Sequence, residues 1–350
     1  MFASGTKEGV APVTADPRRE GYVSWKEIIE PIEPFMDRVA HRLAEQVDAF
    51  DPEIAGYARY ALTNQGKQLR PALVALSGAA GGKVNEHHVT VAVIIEMVHL
   101  ATLVHDDIMD EAEIRRRRPT LAANWGKQIS VLLGDCLFAH ALQLAAGFPT
   151  TEVCRAVASA TNTVCSGEIL QTHHRWKYHL KRADYFKVLE MKTAELFALS
   201  CELGASIAGA GVASRNALRD YGLALGTAYQ IYDDCVDVFG SEAAVGKSLG
   251  TDLAGGKLTL PVLVILEKGS PTDQAELKRV VQSWDAGNYP ALLRLLETYG
   301  ARQESSVIIH RYIETARRTL FSVPDGAGRV ALGGVADFLA RQTDLLGVSC

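Results

Sequence analysis

The stretch His99-Leu100-Ala101-Thr102-Leu103-Val104-His105-Asp106-Asp107-Ile108-Met109-Asp110 decides how this chain is read. Its form recurs at Gly226-Thr227-Ala228-Tyr229-Gln230-Ile231-Tyr232-Asp233-Asp234-Cys235-Val236-Asp237. Each is a long apolar run that ends in Asp-Asp-x-x-Asp. On a helix, residues four apart share a face, so Asp106 and Asp110 point the same way, as do Asp233 and Asp237. Carboxylates crowded beside apolar residues repel one another unless something cationic neutralises them. Hard oxygen ligands of this kind suit Mg²⁺, which keeps several waters and is completed by phosphate oxygens. Two such faces across from each other would form a magnesium cage for a pyrophosphate. A single cluster reads more simply as a solvated acidic face. A chance Asp-Asp-x-x-Asp arises in about 5% of chains of this length and two in well under 1%, so the pair favours metal and phosphate binding.

Working outward, the chain has 350 residues, 48% of them hydrophobic and 7% aromatic, enough for a large core rich in Ala, Leu and Val. A net charge of −5 argues against a nucleic-acid surface or an anionic-membrane surface. Cys136, Cys154, Cys165, Cys201, Cys235 and Cys350 show no metal-ligand spacing, which fits free thiols in a reducing, cytoplasmic compartment. Residues 1–20 lack the apolar core of a secretory signal and read as a loose, flexible extension. The most apolar stretch, Val89 to Val104, is interrupted by Glu96, His99 and Thr102. It fits a buried helix better than a membrane span.

Period-2 alternation is almost absent, whereas 3.6-residue periods recur throughout. Ser24-Trp25-Lys26-Glu27 is a capping box for the first helix, and Pro31 and Pro34 make its first turns irregular. Further helices are expected at about 52–64, 68–80, 87–112, 120–146, 150–176, 183–209 and 213–239, with more over 261–349 around the turn Val323-Pro324-Asp325-Gly326. Gly246 to Gly256 is expected to be a flexible loop carrying Lys247, with Lys257 just beyond it. Several helices are apolar on more than one face, which implies a many-helix bundle and a buried subunit interface. The fold expected is a single all-α domain of about 10–13 helices over residues 21–350.

Three further groups handle anions. Lys67 and Arg70 stand three apart at a helix start, where backbone N–H groups favour anions. Arg115 to Arg118 follow the first acidic cluster; beside a metal site they would clamp a second diphosphate rather than nucleic acid. His99 lies seven residues before Asp106, on roughly the same face, although a lone histidine on an apolar helix is usually a core residue. Lys192, Thr193, Gln230, Lys247 and Lys257 say little individually. His173, His174 and His179 read as solvated.

Together these residues resemble the trans-isoprenyl diphosphate synthase (polyprenyl synthetase) family. The resemblance covers about residues 24–345. Its motifs stand in order: GKQLRP at 66–71, HDDIMDEAEIRRRRPT at 105–120, GD at 134–135, GEILQ at 167–171, KTAELF at 192–197, YQIYDDCVDVFG at 229–240 and GKSLGTDLAGGKLTLP at 246–261. The resemblance implies an all-α fold around a central cavity, usually a homodimer. It implies head-to-tail condensation of isopentenyl diphosphate onto an allylic diphosphate, with Mg²⁺ (three ions per site, Mn²⁺ able to substitute). Carried over by position, Lys67, Arg70, His99 and Arg116 would contact isopentenyl diphosphate. Arg115, Lys192, Thr193, Gln230, Lys247 and Lys257 would contact the allylic diphosphate. Asp106, Asp110 and Asp233 would bind magnesium directly, with Asp107 and Asp237 acting through water. The family also makes the departing pyrophosphate the proton acceptor. Two positions depart from its pattern: Arg117 replaces a glycine, and Gln68 replaces an arginine or lysine. Neither removes a ligand, and both are expected to be tolerated.

Ala101 and Thr102 stand five and four residues before Asp106, where short-chain members often carry aromatics. Val98 and Met97 lie one turn deeper, and each turn adds about 5.4 Å. With no aromatic plug, the tunnel is expected to be open and the product to be medium or long, as in enzymes that make quinone side chains. A farnesyl or geranylgeranyl synthase is the alternative. A class I terpene cyclase fits less well, because its second metal motif normally carries Asn, Ser or Thr and Glu. A non-catalytic subunit of a heteromeric synthase would have lost an acidic cluster. No membrane span is expected; only the lipid product would associate with a membrane.

Overall fold

The computed structural model describes residues 24–63, 66–240 and 249–347. Residues 1–23, which contain the expected extension, and Lys247 lie outside the described residues. The helical elements are α1 (Trp25–Ile29), α2 (Glu33–Glu45), α3 (Ala55–Leu62), α4 (Leu69–Gly81), α5 (Glu86–Met109), α6 (Leu121–Trp125), α7 (Lys127–Ala146) and α8 (Thr151–His174). There follow α9 (Arg182–Leu189), α10 (Glu195–Ile207), α11 (Val212–Phe239), α12 (Thr251–Ala254), α13 (Leu260–Lys268), α14 (Pro271–Gln282), α15 (Tyr289–Thr298), α16 (Ala301–Thr319) and α17 (Ala327–Asp344). The all-α expectation holds. The segments outnumber the expected 10–13 because several long periodic runs are interrupted. The run at 120–146 breaks at Gly126, and Glu190–Ala194 forms a π-helical turn between α9 and α10.

Local chemistry explains the start. Ser24 Oγ accepts from Glu27 N at 3.3 Å while Glu27 Oε2 accepts from Ser24 N at 2.6 Å, completing the capping box. Pro31 and Pro34 then divide the run, with a 3₁₀ turn at Glu30–Ile32 between α1 and α2.

Two apolar cores flank a wall made of α4 and α10. Leu73 and Leu76 of α4 and Phe197 and Cys201 of α10 face one core; Val74 and Ala75 of α4 and Leu196, Leu199 and Leu203 of α10 face the other. Such helices are apolar all round because both sides are buried. Helix α5 is enclosed within one of the two cores: Val91, Ile94, Ile95, Met97 and Val98 are buried there, as expected of an internal helix. Helix α7 is also long and apolar, yet only a third of its most apolar window is buried, and Val131 and Leu132 face outward.

The one sheet among the described residues is a two-stranded hairpin, β1 (Ile114–Arg115) and β2 (Arg118–Pro119), paired antiparallel. Its two-residue turn is Arg116-Arg117, with φ of 51° and 62°. Positive φ at both positions is what a type I′ hairpin turn requires, which accounts for the family's preference for glycine at 117. The other departure, Gln68, is left-handed too (φ 49°), at the N-cap of α4. The hairpin is tied to α3: Tyr60 Oη donates to Pro119 O at 2.7 Å, and the Arg118 guanidinium lies 4.3 Å from the Tyr60 ring centre.

A left-handed non-glycine residue costs roughly 1–2 kcal/mol, partly offset by the extra freedom glycine has when unfolded. Arg117→Gly should therefore leave stability unchanged or raise it by up to about 1 kcal/mol, whereas the β-branched Arg117→Val should lower it by about 1–2 kcal/mol. Urea unfolding of the three proteins checks the order.

Candidate active site

One large cavity, about 1920 Å³, opens where α5, α8, α9, α11 and the 250–259 segment converge. Asp106 and Asp110 from the end of α5 line it, as do Asp233 and Asp234 from α11. Thus both acidic clusters reach the same space, but not with every residue singled out. Asp107 is turned away and accepts from Arg115 Nε at 2.5 Å. Asp237 is buried against the following loop, accepting from Thr251 Oγ1 at 2.7 Å and from Asp252 N at 3.1 Å. Asp234, to which the sequence pattern assigns no role, is inside the cavity. It accepts from Tyr185 Oη at 2.6 Å and from Gln230 Nε2 at 2.9 Å. Burial, with help from the charge of Asp252, pushes its carboxyl pKa up to about 8 against those two hydrogen bonds.

The cations fall into two sets. In the first, Lys192 Nζ donates to Gln171 Oε1 at 2.8 Å, lies 3.4 Å from Asp106 Oδ2 and pairs with Glu168. Lys257 Nζ reaches Asp110 Oδ2 at 2.7 Å and Asp252 at 3.6 Å. Burial alone would raise the Asp110 pKa, but Lys257, Lys192 and Arg175 outweigh it and hold the carboxyl below its ordinary value. Thr193 Oγ1 donates to Gln230 Oε1 at 2.9 Å, so Thr193, Gln230 and Asp234 form a chain. Lys192 and Thr193 both sit in the π-helical turn, a distortion that re-aims side chains and is frequent at functional sites. Gly167 of α8 faces this turn: a Cβ there would lie 2.7 Å from Lys192 N.

The second set is Arg70, His99 and Arg116, all lining the cavity. Arg116 lies against the backbone of Gly66, and the Arg70 guanidinium stacks 5.0 Å from the Phe197 ring centre. Burial lowers the pKa of Arg70, Arg116 and His99, and the two arginines push His99 lower still, so His99 is held neutral. The buried Glu96 is the counter-charge that supports both arginines. Arg70 Nε is a buried donor with no partner among the described residues. Two guanidinium groups, one part-buried and one exposed, sharing a single buried carboxylate suit an incoming anion. Lys67 is exposed and lines a separate small apolar pocket with Trp25, Tyr229 and Phe338, where Tyr229 is common to both spaces.

Of the three tunnel candidates, only Thr102 reaches the cavity. Ala101 and Val98 are enclosed in the core, 0% and 1% exposed. The apolar wall instead includes Leu103, Phe138, Val164, Val188 and Leu189. Glu168, Gln171 and Asp252 are visible in the sequence as motif letters without roles. Arg175 and Tyr185 carry no periodicity or spacing that could mark them.

The donors fit a hard divalent cation: oxygen is the dominant ligand chemistry, and carboxylates enter from two helices. Among the described residues, however, no three His, Cys, Asp or Glu side chains cluster closely enough to hold an ion on their own. That suits a metal completed by a ligand's phosphate oxygens rather than a closed protein cage.

A cavity inside an all-α bundle that brings carboxylates and cations together suits the site of an enzyme with an anionic substrate. The polyprenyl synthetase family model matches residues 51–294, and the chain belongs to that family; its activity is prenyl transfer. An octaprenyl diphosphate synthase of Haemophilus influenzae is 31% identical over 306 residues, spanning 87% of this chain and 92% of that protein. A short chain isoprenyl diphosphate synthase of Methanothermobacter thermautotrophicus is 30% identical over 321 residues, spanning 90% and 99%. The crystal structure of a polyprenyl synthase from Caulobacter crescentus, complexed with calcium and isoprenyl diphosphate, superposes with a TM-score of 0.85 at 32% identity, covering 91% of this chain and 97% of that one.

Misplacing a catalytic group by about 1 Å can cost about a hundredfold in rate. Gly167→Ala must displace the π-helical turn and Lys192 with it, so kcat/KM should fall by about 10- to 100-fold with helical content preserved. Steady-state kinetics beside far-ultraviolet circular dichroism checks both halves of that expectation.

Proposed function

We propose that this chain condenses isopentenyl diphosphate with an allylic diphosphate, head to tail, in a Mg²⁺-dependent reaction that gives an all-trans polyprenyl diphosphate. The observation that carries this is the separation of cations within one cavity. Lys192 and Lys257 stand on Asp106 and Asp110 of the first acidic cluster, while Arg70 and Arg116 gather around Glu96. Two anionic groups can therefore be held apart yet in one space.

Asp106, Asp110 and Asp233 would hold Mg²⁺, with Asp234 and Asp252 beside them in the cavity. The metal, when bound, offsets the charge that develops on the leaving pyrophosphate. Lys192 and Lys257, positioned in advance by Asp106, Gln171, Asp110 and Asp252, would stabilise the same charge. Arg115 is held by Asp107 at the mouth of this site. Lys67, Arg70, His99 and Arg116 would orient isopentenyl diphosphate so that its double bond meets the allylic carbon, an arrangement in which much of the rate comes from proximity. Thr193 and Gln230 position Asp234, and Lys247 would add a further contact to the allylic diphosphate. The apolar wall keeps water from the allylic cation.

We infer a medium or long product, in keeping with the octaprenyl-synthase relative, although a short-chain relative is comparably similar. The exposed Val131 and Leu132 on α7, a helix too apolar to be wholly solvated, support a homodimer; the exposed Asp135, one turn further along, speaks against lipid contact there. The unpaired cysteines among the described residues support a reducing, cytoplasmic setting.

Incubating the protein with labelled isopentenyl diphosphate, each allylic primer and Mg²⁺ tests the reading. Asp106→Ala and Asp233→Ala should each lower kcat by at least about 100-fold with the fold intact, because the interaction lost is strongest in the transition state. Near-normal turnover by either variant would refute the assignment.

Chain length follows the residue that faces the cavity. Thr102→Phe should shorten the main product while the first condensation continues. Ala101→Phe, forced into a closed core, should instead cost about 1–3 kcal/mol of stability. Product chromatography and thermal melts distinguish the two.

A further inference from the structure

Between α8 and α9 the chain makes a short strap that the family's motifs do not include. Arg175 Nη2 donates to Asp110 Oδ1 at 2.6 Å, and Nη1 lies 3.4 Å from Met109 O. Asp110 thus carries a cation on each oxygen, with Lys257 on the other. The next residue, Trp176, is left-handed (φ 64°), a conformation bulky side chains rarely adopt. Its N–H donates to Gly256 O at 2.9 Å. Its indole covers Gly256 so closely that a Cβ there would lie 2.3 Å from a ring carbon.

Gly256 precedes Lys257, and the same turn is anchored at its other end to the second acidic cluster. There Gly250 N donates to Asp237 O at 2.8 Å, and Asp237 Oδ1 accepts from Thr251 Oγ1 at 2.7 Å. A continuous path therefore runs from Asp110 through Arg175, Trp176 and the 250–257 turn to Asp237. Arg175, Trp176, Asp252 and Lys257 all line the main cavity.

We propose that Arg175 and Trp176 are positioning residues: a strap that fixes the Asp110 carboxylate and the Lys257 turn together, and so sets the affinity for the allylic diphosphate and its metal. The inference rests on the function proposed above. Arg175 acts through Asp110, and Trp176 acts through the backbone of Gly256. The homoallylic cations Arg70 and Arg116 are not on this path.

Titration calorimetry with inorganic pyrophosphate in Mg²⁺ buffer reads the site without turnover, on wild type, Arg175→Ala, Arg175→Lys and Trp176→Gly. Glycine accepts the left-handed backbone, so Trp176→Gly removes only the indole. Losing a charged hydrogen bond is worth about tenfold or more. Arg175→Ala should weaken pyrophosphate binding by about tenfold and raise KM for the allylic substrate in step, leaving KM for isopentenyl diphosphate within about twofold. Arg175→Lys should recover part of that loss, and Trp176→Gly should shift the same two quantities in the same direction. If Arg175→Ala does not fold, Arg175→Lys and Trp176→Gly decide the matter by the same criterion. Unchanged affinity in folded variants, or an equal rise in both KM values, would overturn the strap. Wild-type protein that binds no pyrophosphate in Mg²⁺ would overturn the underlying function as well, and is read separately from the variants.

Discussion

The structure depends on one electrostatic constraint: carboxylates from several elements crowded into a single half-buried cavity. Asp106, Asp110, Glu168, Asp233, Asp234 and Asp252 line the same space. Like charges so placed destabilise one another unless they are paired or protonated. The chain uses both remedies. Lys192, Lys257 and Arg175 pair Asp106, Asp110 and Glu168, while Asp234 is pushed up to about 8 by burial and its neighbours. These pairs border open space rather than sealed core. Acids and cations could therefore exchange partners with the proposed metal–diphosphate, whose charges are complementary to both.

The fold follows from having to hold those charges still. A bundle can carry such a cavity only if the surrounding helices are rigid, and the wall of α4 and α10 between two apolar cores supplies that rigidity. From that wall Arg70 and the π-helical turn at Lys192-Thr193 project toward the cavity. The hairpin at 114–119 adds Arg115 and Arg116, held by Tyr60 and by the backbone of Gly66. The residues of the proposed site thus stand where regular structure is interrupted: at the end of α5, at a π-turn, at a two-residue turn with both residues left-handed, and in the turn after α11.

What is legible in the sequence is whatever is periodic. Apolar repeats locate most of the helices, and four-residue spacing places Asp106 with Asp110 on one face of the cavity. The same rule misplaces Asp237: equal phase with Asp233 does not bring it to the cavity, because Thr251 and the backbone of Asp252 claim its carboxylate. Ala101 and Val98 fail similarly, since depth below Asp106 along the helix says nothing about which neighbour covers that face. Asp234, Tyr185 and Arg175 are hidden because their roles come from contacts between residues 49 to 65 apart in sequence. The departures at Gln68 and Arg117 become intelligible only as backbone angles.

The central claim is that two diphosphates are held by two different sets of cations in one cavity. Crossed substrate kinetics of Arg70→Ala and Lys192→Ala test it most directly. The account predicts that Arg70→Ala raises KM for isopentenyl diphosphate by about tenfold or more while KM for the allylic primer moves little, and that Lys192→Ala does the reverse. Two variants that weaken the same substrate would contradict it.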